Sequence, residues 1–361
     1  MIFIKRVSRL YLILGKTFKI WLPTIFIALG IIVLRVFLGF VRIIENLIYA
    51  PIREPLNSPI IIVGNPRSGT TFLHRFMIKQ HIGTGSQLWQ MLYPSIIVQK
   101  LLKPFLPILE KISPAKYHST EAHKTSLTGF ETDDVSLLFR YVDGFFLYGF
   151  FLTFDEEDLF HLVDPNIRDT TTRDYNWFDS MWRRNVFFNN STRYIGKLFS
   201  LSSNLPSFQR RFPEARVLYL IRDPLSVIPS GLSLVTGVLD KRFNFWSLDK
   251  KVKERFIKRL YNALVQLLLR FKTDWNNGSI DKDRVMIVHF DLMMNDFESL
   301  MEKILNFIGS ENNEEMQVAI RETAALQREY KSNHKYDLHK FGLTKEQIKN
   351  DCSEIYKTFL R

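Results

Sequence analysis

The spacing of apolar and polar positions divides the chain into regimes. Residues 1–19 carry five basic side chains (Lys5, Arg6, Arg9, Lys16, Lys19) and no acid, and Ile20–Leu34 then runs 15 residues without a charge. Arg35 interrupts this run off-centre, and Val36–Val41 is apolar again. A spanning helix needs about 20 mostly apolar residues, a length reached here only by including Arg35. An Arg at the bilayer centre costs about 2.5–3.5 kcal/mol on insertion scales, and less near a helix end where it snorkels. The pattern predicts a membrane-associated helix, spanning the bilayer or lying in its interface. The alternative is a buried helix packed on the main domain. No small-residue cleavage site follows closely, which disfavours a cleaved signal peptide.

From about residue 55 the pattern becomes short apolar runs alternating with longer amphipathic ones. Pro59–Gly64 (PIIIVG), Ala215–Ile221 (ARVLYLI) and Arg284–Phe290 (RVMIVHF) read as fully buried strands, and Tyr194-Ile195 as part of another. Helices are expected over 70–80, 201–212, 250–275, 297–308, 314–330 and 344–360, with one more opening near Asp223-Pro224. Such alternation predicts an α/β fold with a central parallel sheet and helices on both faces. Residues 84–190 are rich in Phe, Leu and Trp without a strand pattern, and read as helices covering a site at the sheet. The expected organisation is a basic and hydrophobic anchor segment at 1–50 and one α/β domain at 51–361.

Charge and cysteine content narrow the partners. The chain has 361 residues, with 49 Lys and Arg against 37 Asp and Glu, a net charge of +12. That surplus favours an anionic partner: nucleic acid, anionic lipid, or a phosphate- or sulfate-bearing ligand. Nothing in the sequence resembles a nucleic-acid-binding module. One cysteine, Cys352, excludes an internal disulfide and a Cys-rich zinc site, and favours a reducing compartment. No H-x-x-H or H-E-x-x-H pattern marks a metal site.

The candidate chemistry starts at Gly64-Asn65-Pro66-Arg67-Ser68-Gly69-Thr70-Thr71, between a strand and a helix. Loop amides and a helix N-terminus there form an anion cradle. Both glycines of the nucleotide-binding pattern G-x-x-x-x-G-K-[ST] are present, but Thr70 stands where the lysine belongs. An ATP-dependent kinase or ATPase needs that lysine on the β and γ phosphates. Arg67 lies inside the loop instead. A guanidinium, three hydroxyls and the loop amides suit a terminal sulfuryl group, which carries less charge than a phosphoryl group and requires no Mg²⁺.

Pro66-Arg67-Ser68-Gly69-Thr70-Thr71-Phe72-Leu73 resembles the 5′-phosphosulfate loop of sulfotransferases that use PAPS (3′-phosphoadenosine 5′-phosphosulfate). The Arg form of the loop is similar to that of protein-tyrosine sulfotransferases and many bacterial relatives. The resemblance implies a P-loop-like three-layer fold and places Arg67, Ser68, Gly69, Thr70, Thr71 and Phe72 on the donor. It also assigns Arg222 at a strand end, and Ser230 eight residues later, to the 3′-phosphate. A bidentate guanidinium and a hydroxyl suit a phosphate monoester. Asn333–Gly342 resembles the segment that closes over the nucleotide, which puts Lys335, Tyr336 and Lys340 near phosphate or adenine. Lys197, just after a probable strand, is implied to neutralise the bridging oxygen together with Arg67, although Leu198 follows where the family often has Pro.

The acceptor must lose a proton, so a base is needed. Gly129-Phe130-Glu131-Thr132-Asp133-Asp134 supplies three carboxyls in four residues. Glu131 is the first candidate, Asp133 the second, and His74, one turn after the loop, the third. A cluster that merely stabilises a helix N-terminus is the alternative. Together with these residues, the resemblance implies a metal-independent sulfuryl transfer from PAPS to a hydroxyl or amine; the alternative is a P-loop kinase-like enzyme using ATP and Mg²⁺. The acceptor is a small molecule, glycan or lipid, with protein tyrosine left open. The aromatic segment and apolar N-terminus favour a lipid-linked or membrane-proximal one. Membrane association with a cytoplasmic catalytic domain is expected. A type II arrangement in the Golgi lumen is the alternative, since the basic excess precedes the apolar helix; the N-x-[ST] triplets at Asn189, Asn190 and Asn277 matter only there.

Overall fold

The computed structural model describes residues 2–113, 125–329 and 337–360. Its first 55 residues form α1 (Ile2–Phe18) and α2 (Trp21–Ile48), followed by a short 3₁₀ turn. Next come β1 (Ile60–Val63) and α3 (Thr70–Lys79), then α4 (Leu88–Leu92), α5 (Ile96–Leu102), α6 (Leu106–Ile112), α7 (Asp134–Tyr141), α8 (Phe145–Phe150) and α9 (Thr171–Phe188). β2 (Ile195–Leu198), α10 (Leu205–Arg211), β3 (Arg216–Ile221), α11 (Pro224–Phe243) and α12 (Lys250–Asn276) follow. β4 (Val285–His289) leads into α13 (Phe290–Asn295), α14 (Phe297–Ile308), α15 (Glu314–Glu329), α16 (Lys345–Asp351) and α17 (Ser353–Phe359).

The four strands form one parallel sheet in the order β2-β1-β3-β4. The α/β expectation from the alternating pattern is met. By contacts the chain divides into two compact units: Met1–Pro55, Ser86–Asn190 and Leu232–Ala263 form the first, and Leu56–Gly85, Ser191–Gly231 and Leu264–Arg361 the second.

The second unit holds the sheet. All four residues of β1 are fully buried, so the strand is apolar throughout rather than alternating, as a sheet covered on both faces requires. On one face Ile60, Ile62, Leu218 and Leu220 pack with Leu73 and Met77 of α3, with Phe297, Leu300 and Ile304 of α14, and with Met316 and Ile320 of α15. On the other face Tyr219 stacks on Phe271 of α12, ring centroids 3.3 Å apart and planes 4° apart, and Phe359 of α17 meets the same Phe271.

The first unit is helical. Its buried polar contacts are anchored by two carboxylates. Asp143, fully buried, pairs with Arg6 (3.3 Å), Arg168 (2.6 Å) and Arg173 (2.8 Å). Glu45 of α2, also fully buried, accepts from Arg184 at 3.0 Å, from the Ser95 hydroxyl at 2.6 Å and from the Ile97 amide at 2.8 Å. Buried carboxylates persist only when paired and hydrogen-bonded in this way.

Three sequence expectations are corrected. The N-terminal segment is two helices, not one; the chain turns at Lys19 (φ 59°), and Pro23 sits in the first turn of α2, where its missing N–H costs nothing. The helix expected over 201–212 begins only at Leu205, with Pro206 in its first turn and a 3₁₀ turn over Ser200–Ser203. The helix over 344–360 is broken at Cys352, whose backbone leaves the helical region at φ −106° and ψ 14°.

Phe271 is fully buried between Tyr219, Trp275 and Phe359. Phe271→Ala is expected to lower unfolding stability by about 3–5 kcal/mol. Urea denaturation measures this, and an unchanged midpoint would mean that this face of the sheet closes without it.

Candidate active site

β1 lies between β2 and β3, so the connection order reverses at β1, and open α/β sheets bind ligands beyond the strand ends at such a point. The Gly64–Gly69 loop leaves β1 there. Gly64 takes φ 145°, and a side chain added to it would meet the Leu220 carbonyl oxygen at 2.6 Å. Arg67 holds φ 79°, unusual for a residue with a Cβ, and Gly69 φ 95°. A side chain on Gly69 would also overlap Met293 and crowd Phe290. Asn65 fastens the loop by donating from Nδ2 to the Leu264 carbonyl (2.8 Å), and the Ser68 hydroxyl donates back to the Asn65 carbonyl (2.8 Å). α3 then starts at Thr70, presenting first-turn N–H groups that have no intrahelical acceptor.

Basic side chains from three strand ends converge on this loop. Arg67 donates from Nε to the Ser230 hydroxyl of α11 (3.0 Å). Arg222, just beyond β3, donates from Nη1 to the Arg67 carbonyl (2.9 Å), and its guanidinium lies 3.9 Å from the centroid of the Phe290 ring. Lys197 donates from Nζ to the Thr71 hydroxyl (3.1 Å). The sequence reading put Lys197 just past a strand; it is the third residue of β2 and is buried. From there its ammonium reaches Thr71 in the first turn of α3. Arg67, Ser68, Thr70, Thr71, Lys197, Arg222 and Ser230 are thus brought together in one unit, with Gly69 and Phe72 on the same loop and helix.

Phe290 was missed by the sequence reading. It ends the apolar run RVMIVHF and reads there as one more core residue, whereas it starts α13 and supports a charged group at the sheet's carboxyl end. Tyr336 and Lys335 lie outside the described residues; Lys340 is exposed.

Glu131, Asp133 and Asp134 are buried at the start of α7, in the first unit. Asp134 accepts from the Thr132 hydroxyl at 2.9 Å. The arrangement is more than a solvent-facing helix start, since the carboxyls are buried. His74 is buried on α3, with Nε2 2.9 Å from the Ile195 carbonyl, so that nitrogen carries the proton and donates. Burial, reinforced by the charge of Lys197, pushes its pKa down to about 3. A neutral imidazole tied to a strand carbonyl is a packing group and a weak base. Among the described residues no group of three or more His, Cys, Asp or Glu could hold a metal ion.

Fold and loop together define a parallel α/β protein whose β1–α3 loop, at the sheet's carboxyl end, is ringed by arginine and lysine. A profile of the Sulfotransferase family matches residues 59–314, and the chain belongs to that family. It is 23% identical over 301 residues to the omega-hydroxy-beta-dihydromenaquinone-9 sulfotransferase Stf3 of Mycobacterium bovis and to its Mycobacterium tuberculosis counterpart, covering 81% of this chain and 71% of theirs. Among solved structures, sulfotransferase STF9 from Mycobacterium avium superposes with a TM-score of 0.65 at 19% identity, over 88% of this chain and 81% of that one. STF1 from Mycobacterium tuberculosis gives 0.60 at 17% identity, over 82% and 76%. The chain is therefore a sulfuryl-group transferase by family, with the fold of the bacterial sulfotransferases.

The depressed pKa of His74 has a consequence for acid stability. At neutral pH the imidazole is uncharged in both folded and unfolded chains. Below about 6.5 the unfolded chain takes up a proton that the folded one refuses until about pH 3. Stability is thus expected to fall as pH drops through this window. His74→Gln, which keeps a donor for the Ile195 carbonyl, is expected to flatten that slope in urea titrations at pH 7, 5.5 and 4. An equal slope in both proteins would show that His74 does not titrate as described.

Proposed function

We propose that the chain transfers a sulfuryl group from PAPS to a hydroxyl on a lipid-soluble small molecule, with a carboxylate base and without a metal. The observation that carries this reading is the Arg67–Ser230 and Arg222–Arg67 linkage beside a loop that lacks the kinase lysine. The donor set fits a nucleotide with two separated anionic groups. Loop amides, Thr70, Thr71, Arg67 and Lys197 suit the 5′-phosphosulfate, and Arg222 and Ser230 suit the 3′-phosphate. When bound, PAPS supplies an activated sulfur whose bond to the bridging phosphate oxygen breaks as the acceptor oxygen bonds to it. Arg67 and Lys197 oppose the charge that builds on that departing oxygen, a contribution that is preorganised because both are already held by hydrogen bonds. Glu131, buried at the start of α7, accepts the acceptor's proton. Tyr336 is assigned to the nucleotide by its place in the Asn333–Gly342 segment.

The acceptor class follows from two supports. The curated relatives are named for a hydroxylated menaquinone, an apolar alcohol. The helical segment from α4 to α9, which carries the acidic cluster, also buries Trp89, Trp177, Phe178 and Trp182. A kinase-like reading with ATP and Mg²⁺ is disfavoured because Thr70 occupies the lysine position.

With ³⁵S-labelled PAPS and a lipid extract of the source cells, labelled product is expected in the lipid fraction and unaffected by EDTA. Arg67→Ala should lower kcat by about 10²–10³. Label passing instead from [γ-³²P]ATP in the presence of Mg²⁺ would remove the sulfuryl reading for this chain. Glu131→Gln should lower kcat by about 10²–10⁴ with the KM for PAPS nearly unchanged. If Asp133→Asn produces that loss and Glu131→Gln does not, the base is Asp133.

A further inference from the structure

By length and composition α2 is long and apolar enough to cross a membrane. At 1.5 Å per residue its 28 residues extend about 42 Å. Its two flanks nevertheless belong to one packed body. Upstream, α1 is tied to the first unit by Arg6, which pairs with Asp143 and donates to the Val142 carbonyl (2.7 Å), and by Arg9 on Asp155 (3.1 Å). Phe18, at the end of α1, stacks on Phe243 and meets Phe154 edge-on. Downstream, the chain re-enters the same unit through α4–α9. A helix cannot cross a bilayer while the segments before and after it are packed together on one side.

The helix itself is fixed along its length on one side. Arg35 donates to the Phe139 carbonyl, and Arg42 to the Pro94 carbonyl (2.9 Å) and the Ser180 hydroxyl (2.8 Å). Glu45 closes the row on Arg184, while Leu38 and Val41 pack on Val98 of α5. These positions recur every three or four residues and so form one face. The remaining face is exposed and apolar: Phe26, Leu29, Val33, Val36, Phe37, Phe40 and Leu47 are each more than half accessible. Leu101, Phe105, Ile108 and Ile112, on and beside the α5 and α6 helices that flank α2, are equally exposed.

We propose that this face docks flat on an anionic phospholipid bilayer, with α2 lying in the interface and the Phe105–Ile112 stretch inserted beside it. Charge selects the occupant. Within residues 2–55 and 96–113 the exposed charged positions are Lys5, Lys16, Lys19, Arg53, Lys100, Lys103 and Lys111 against Glu54 alone. A rim of lysines around an aliphatic and phenylalanine face matches lipid headgroups over acyl chains. It departs from the core of a protein–protein interface, where lysine is depleted. The proposal does not rest on the sulfuryl-transfer reading.

Flotation of the full-length protein with sealed vesicles tests the surface. Binding is expected with phosphatidylcholine–phosphatidylglycerol vesicles and should weaken with salt. Phe105→Glu lies outside α2 at an exposed position that folding does not need, and should weaken binding roughly tenfold or more, the scale of losing one inserted aromatic. Undiminished binding would overturn the two-part face, and so would a lipid-free dimer in light scattering that Phe105→Glu dissociates. Orientation is tested in sealed membrane vesicles from cells expressing a Cys352→Ser background carrying Ser8→Cys or Glu54→Cys. An impermeant maleimide should label both positions or protect both, since they lie on one side. Labelling of only one before detergent is added would mean that α2 spans, and would overturn the proposal.

Discussion

The site depends on the parallel pairing of β1 with β3. The register runs from Ile60 opposite Arg216 to Val63 opposite Tyr219, so β3 continues two residues past the end of β1. That offset delivers Arg222 alongside a loop that has already turned away from β1, within reach of the Arg67 carbonyl. The contact has two effects. It positions a guanidinium at the sheet end, and it satisfies a carbonyl in a loop whose φ values at Arg67 and Gly69 are both positive. Left-handed geometry costs a non-glycine residue of order 1 kcal/mol or more, and persists here because several bonds to the loop specify it at once. A single guanidinium therefore both fixes the shape of the loop and stands at the carboxyl end of the sheet.

Much of this was legible in the sequence because buried parallel strands announce themselves. PIIIVG and ARVLYLI have no alternation to misread, and the loop after the first carries its glycines at positions where a Cβ has no room. Pattern reading failed where side chains act against their usual statistics. Lys197 was placed beyond a strand because lysine is rarely buried, yet it lies inside β2 with its ammonium at the strand's end. Phe290 was absorbed into a hydrophobic run, because sequence does not tell an aromatic that fills a core from one that supports a cation. Ser230 was placed by the family resemblance, and the hydrogen bond that couples it to Arg67 is a fact of three dimensions.

The N-terminal segment shows the same limit from the other side. Arg35 reads as an interruption of an apolar run, and Arg42 and Glu45 lie just beyond it. In the folded chain the three share a face and are the attachment points of α2 to the first unit. Hydropathy averages over all sides of a helix and so cannot separate a helix that is apolar all round from one that is apolar on the sides left uncovered. The informative signal was the spacing of the charges, 35, 42 and 45, one and two turns apart. A helix docked along one side places its charges on that side.

The two halves of the chemistry make opposite demands on solvent. In the proposed reaction, a nucleotide donor with several negative charges arrives from water and meets arginine, lysine and amide dipoles. A lipid-soluble alcohol partitions into the bilayer and is scarce in water. One way to meet both demands is to keep the anion cradle on the sheet of one compact unit and give the other unit an apolar, basic-rimmed surface that holds the protein where the acceptor is concentrated. Confinement at a bilayer raises the effective concentration of such an acceptor without any added contact at the reacting atoms, the same gain that tethering gives a second binding event. On this reading the surplus of positive charge serves both purposes, drawing the donor to one unit and the headgroups to the other. The exposed phenylalanines of α2 are then part of substrate capture, since without them a competent cradle would face an acceptor it seldom meets.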